Sequence, residues 1–150
     1  MPAPVFTLTN SASSTISSIS YGNVNAGKDS SVTQLLFWNN FQGTQTLSDA
    51  VQCSLTIMTF NGLATGDTVT DGQEIVTNTM FQEQCVSQGD SGYTAIGGPT
   101  TAPISDGSSP GTIQGIIGGS AAVVNTQIVA INNVTAGPAQ FKLRCSFLYA

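Results

Sequence analysis

The stretch Phe141-Lys142-Leu143-Arg144-Cys145-Ser146-Phe147-Leu148-Tyr149 decides the fold class. Phe141, Leu143, Cys145, Phe147 and Tyr149 recur at period two, with Lys142, Arg144 and Ser146 on the other parity. A helix would scatter those five side chains around its circumference, whereas an extended chain sets them on one face. The segment Val51-Gln52-Cys53-Ser54-Leu55-Thr56-Ile57 repeats the alternation. Both read as half-buried strands.

Working outward, shorter strands are expected at 16–21, 33–38, 93–96, 112–117 and 123–131, with a weaker strand or short helix at about 74–86. Turn signals separate them: Asn39-Asn40 before Gly43, Asn61-Gly62, Gly66-Asp67, Asp71-Gly72, and the Pro- and Gly-punctuated loop 98–111. Eight to ten strands at this spacing predict an all-β protein, a single-domain antiparallel β-sandwich of immunoglobulin-like or jelly-roll type. Residues 1–14 are expected to form an N-terminal arm and 15–150 the domain. Within the arm, Val5, Phe6 and Leu8 are the apolar groups least accounted for by a core, which makes them candidates for contact with a partner.

Composition supports the β reading and narrows the partners. Charged residues are only 7% of the chain, against roughly 25% in ordinary soluble domains. Polarity comes from Ser, Thr, Asn, Gln and 16 Gly, residues that favour strands and turns over exposed helices. Lys28, Lys142 and Arg144 face eight carboxylates, for a net charge of −5. Three scattered cations cannot build the basic patch that nucleic acid or an anionic membrane requires. No apolar run approaches the ~20 residues of a membrane span, and the opening residues lack the basic and apolar regions of a secretory signal.

Chemistry-bearing motifs are sparse. The chain has no His, and no G-x-S-x-G elbow occurs. Gly89-Asp90-Ser91-Gly92 has the letters of a chymotrypsin-type nucleophile loop, but the sequence supplies no His base, so a turn is expected there. Cys53, Cys85 and Cys145 form no C-x-x-C and are expected as buried free thiols, with a disulfide left open. Ile96-Gly97-Gly98-Pro99 and Ile117-Gly118-Gly119-Ser120 lack the Lys and helix of a phosphate loop and read as turns. Asp67, Asp71 and Glu74 are a weak Ca²⁺ candidate whose spacing departs from the EF-hand, so solvated turn carboxylates are expected. Among the aromatics of Phe37-Trp38-Asn39-Asn40-Phe41, Trp38 is expected in the core; an exposed Trp38 or Tyr93 would instead suit sugar stacking. No catalytic residue and no cofactor is expected.

Tyr21-Gly22-Asn23-Val24-Asn25-Ala26-Gly27, followed by Leu36-Phe37-Trp38-Asn39-Asn40, resembles the opening of immunoglobulin-like sandwiches. Together with Ile96-Gly97-Gly98 and the Thr135-Ala136-Gly137 turn before the last strand, it resembles small phage structural proteins encoded near capsid genes. The resemblance implies a capsid decoration (cement) protein on the outer head surface, bridging capsomers as a homo-oligomer in contact with the major capsid protein or other virion proteins. A phage tail or fibre component and a carbohydrate-binding surface module are the alternatives. A virion component made in the host cytoplasm also accounts for a Lys-poor, Ser/Thr-rich composition without an export signal.

Overall fold

A computed structural model of the protein describes residues 1–61 and 70–150. Among these residues, eight strands in two antiparallel sheets make a β-sandwich: β1 (Phe6–Asn10), β2 (Thr33–Asn39), β3 (Val51–Thr59), β4 (Phe81–Cys85), β5 (Thr94–Ile96), β6 (Ala102–Pro103), β7 (Ser120–Ile128) and β8 (Phe141–Leu148). The larger sheet has the order β1-β2-β7-β4-β5, and the smaller has β6-β3-β8. The short strands β5 and β6 are edge strands, one in each sheet. One short helix, α1 (Gln73–Thr77), precedes β4.

Alternation drives the layering. β2 turns Leu35, Phe37 and Asn39 inward, β7 turns Ala122, Val124, Thr126 and Ile128 inward, and β4 turns Phe81, Glu83 and Cys85 inward. The register sets Val124 beside Leu35 on one flank and Cys85 on the other. Cys53, Leu55 and Ile57 close the core from β3. A bulge between Val51 and Ser54, with Gln52 at φ 52°, reverses the parity at the start of β3, so Val51 is exposed beside Leu148. On β8 the inward series ends at Phe147; Tyr149, expected on that face, lies past the strand and is exposed.

Three expected elements differ. The segment expected as an arm is largely folded: Phe6–Asn10 pairs along β2, the chain reverses at Asn10–Ser14, and Ile16 N–H returns to Leu8 O. Residues 16–21 are not a strand, because Ile16, Ile19 and Tyr21 do not keep period two. They cross the open margin of the sandwich, where Tyr21 sits edge-on to Phe81 and hydrogen-bonds Thr126 Oγ1 at 2.6 Å. Burial pushes the Tyr21 phenol up to about 12. Residues 112–117 contribute only the Ile113–Ala50 bridge, since Gly115 interrupts the run.

Candidate functional site

One end of the sandwich collects both termini and two loops, and amide side chains fasten them. Asn39, wholly buried at the end of β2, receives Val5 N–H on Oδ1 and donates through Nδ2 to Ser48 O and Ile113 O. Asn40, in the left-handed region at φ 64°, donates to Gln45 O, Gly115 O and Ile116 O. Ser48 binds the chain ends, its N–H to Pro2 O and its hydroxyl to Ala150 O. Gly119 has to be glycine: at φ 92° a Cβ there would stand 2.8 Å from Asn40 O. Asp106 ties the neighbouring loop, accepting from Gln114 N–H and Ser120 Oγ on one oxygen and from Ser108 on the other. Burial raises its carboxyl, but these donors outweigh that and hold it below the usual carboxylate range.

This rigid end carries apolar surface. Seven of the eleven large hydrophobic residues exposed among the described residues lie here. Val5 (58% exposed), Ile117 (64%) and Leu148 (56%) are the most open after Met1, with Val51, Ile116 and Tyr149 beside them. Such a concentration marks a contact surface better than scattered single residues do.

The candidate contact residues of the N-terminal segment divide. Val5 belongs to the exposed end. Phe6 and Leu8 pack against the core, and Phe6 stacks on Phe147 at 4.4 Å to close the β1–β8 margin. For Ile116, Ile117, Leu148 and Tyr149 the sequence offers no contact signal beyond an apolar residue on a turn or at the end of the last strand.

The remaining candidates resolve individually. Asp67 lies outside the described residues. Asp71 is buried, not solvated, because its Oδ1 accepts Asn61 N–H at 2.8 Å, while Glu74 Oε1 accepts Thr135 N–H at 2.9 Å. Each of these two acids serves a separate backbone amide, and among the described residues no three acidic or Cys side chains converge as metal ligands. Cys53 and Cys85 are buried free thiols and Cys145 a half-buried one. Burial lifts Cys53 to about 11 and Cys145 to about 12, so neither supplies a thiolate near neutral pH. Trp38 is not in the core: it is on the outward parity of β2, tilted against Phe41, with Nε1 donating to Thr9 Oγ1 at 2.9 Å. Tyr93 is partly exposed. Gly89-Asp90-Ser91-Gly92 is a turn in which Asp90 Oδ2 accepts Cys85 N–H and Oδ1 accepts Gln88 Nε2. Gly97 and Thr100 exchange backbone hydrogen bonds, and Gly119 N–H closes a turn on Ile116 O, so neither glycine pair opens a phosphate loop.

The fold is a β-sandwich with exposed apolar side chains gathered at one hydrogen-bonded end. The chain matches no family model, no curated protein and no solved structure. Among the described residues, no helix is long and apolar enough to cross a membrane.

Proposed function

We propose that the protein is a virion structural protein, a capsid decoration protein that docks on the outer head surface through the end bearing Val5, Ile117 and Leu148. The clustering of exposed apolar side chains on an end held rigid by Asn39 and Asn40 carries this reading. Preorganised backbone lowers the ordering entropy lost on docking, and a nearly uncharged surface keeps the desolvation penalty of a large contact small. Lys28, Lys142 and Arg144 do not lie among those residues, which suits a partner of protein rather than nucleic acid. The sugar-binding alternative draws no support from Trp38, whose indole N–H and one face are already engaged.

Cosedimentation with purified particles lacking the protein tests the reading. The Ile117→Asp, Leu148→Asp double variant should keep its circular dichroism spectrum and Tm yet lose about a hundredfold in particle affinity, since two central apolar anchors supply about 3 kcal/mol. Equal binding by the double variant overturns the docking end. Mass spectrometry of virions adds the location: hundreds of copies fit the head shell, whereas a handful would move the protein to the tail.

A further inference from the structure

The other margin of the sandwich, between edge strands β5 and β6, holds a group that the docking end does not use. β4 turns Glu83 inward between Phe81 and Cys85, and its side chain is 0% exposed. Neither of its carboxylate oxygens has a hydrogen-bond partner among the described residues. Thr126 of β7 and Thr94 of β5 are its register neighbours. Glu83 lines an open pocket of about 380 Å³ together with Gln88, Asp90, Tyr93, Thr94 and Pro103.

A buried carboxylate without donors costs a fold several kcal/mol unless something neutralises it. Among the described residues, no such group lies at this pocket. Both Nε2 hydrogens of Gln88 are committed, to Asp90 Oδ1 and Pro103 O, and none of the three cationic residues lines the wall. What the pocket does offer is oxygen: two carboxylates, the Thr94 hydroxyl, and the Gln88 amide, which has only Oε1 left to give. Hard oxygen donors around an open pocket match Ca²⁺, which accepts irregular shells of six to eight oxygens and completes them with water.

We propose that this pocket binds a divalent cation of the Ca²⁺ type, with Glu83 as the principal ligand and Asp90 and Thr94 beside it. The bound ion would join β4 of the larger sheet to the 3₁₀ turn Val86–Gln88 and the Asp90 turn, which face β6 of the smaller sheet. Burial, and after it the charge of Asp90, push the Glu83 carboxyl up to about 7, and a dication would oppose both effects.

Isothermal titration of the whole chain with CaCl₂ is the test, run in parallel on Glu83→Gln. The expected result is one saturable site with Kd of about 10⁻⁴–10⁻³ M, the range of exposed modules with few charged ligands, weakened about tenfold or more in the variant. Tb³⁺ gives a second readout. Tyr93 stands in the pocket wall, so tyrosine excitation should sensitise Tb³⁺ emission that Ca²⁺ displaces, and Tyr93→Phe should reduce that emission without changing the calorimetric Kd. Asp90→Asn provides the same comparison should Glu83→Gln fail to fold. The absence of saturable heat with the wild type overturns the site, as does equal affinity in a folded Glu83→Gln or Asp90→Asn protein.

Discussion

Asn39 and Glu83 occupy positions where the strand pattern asks for apolar side chains. Asn39 follows Leu35 and Phe37 on the inward parity of β2, and Glu83 lies between Phe81 and Cys85 on that of β4. Asn39 is satisfied by three backbone groups, so its burial is stabilising. Glu83 has no such partners among the described residues, and the consequence is a pH dependence of stability. Its carboxyl moves from 4.5 to about 7 on folding, facing Thr94, Thr126 and the charge of Asp90. Between those values the folded state holds a proton that the unfolded chain has released. The contribution is therefore complete below about 4.5, declines as pH rises through about 7, and is lost above it. Asp106, held low by its donors, has the opposite sign: its contribution is present above its unfolded pKa of 3.8 and lost as pH falls through the lower folded value. In chelator-treated buffer, urea unfolding should show the wild type losing about 3 kcal/mol relative to Glu83→Gln between pH 4.5 and 8. A difference that stays constant across that range would rule out a buried, unpartnered Glu83.

Among the elements, β1 shows where the sequence is ambiguous. Val5-Phe6-Thr7-Leu8 suits either a strand or a detachable arm, and only the packing decides. Phe6 on Phe147, Leu8 against the core and Thr9 beneath the indole of Trp38 make it a strand. Removing residues 1–12 should then destabilise the sandwich by about 4 kcal/mol through loss of the two apolar side chains, and lower Tm by about 10 °C. Val5→Asp should leave Tm unchanged. A truncated protein melting with the wild type would restore the arm. The strands legible in sequence, β2, β3, β5, β7 and β8, are those whose apolar residues alternate or run together between turn signals. Residues 16–21 and 112–117 misled because scattered Ile residues suggest a strand while their spacing or their glycines prevent pairing. The proposed docking end was legible only at Val5, since Ile117 and Leu148 reach the same end of the sandwich only through the tertiary fold. Glu83 left a usable signal, a charge on the apolar parity of a short strand, which the ambiguity of 74–86 between helix and strand concealed.

At the scale of the whole molecule, the chain passes repeatedly from one sheet to the other, so its main pairings are non-local. β7 is the hinge of this topology: Val124 has to meet both Leu35 and Cys85, and β3 has to wait for β8. Each closure loses chain entropy before any contact repays it, which places folding in the millisecond-to-second range of β-sandwiches. The transition state then has to contain the β2–β7–β4 pairing, because no smaller set of strands buries an inward face on both flanks. β1 and its stack on Phe147 can join later, since they only cover a margin already formed. Stopped-flow refolding followed by the fluorescence of Trp38, the one tryptophan, distinguishes these orders. Val124→Ala, which removes roughly 2 kcal/mol of central packing, should slow folding by most of that amount and leave unfolding nearly unchanged. Phe6→Leu should do the reverse, accelerating unfolding while folding keeps its rate. If Phe6→Leu slows folding and Val124→Ala does not, the β1–β8 margin forms first and β7 is the last strand to dock.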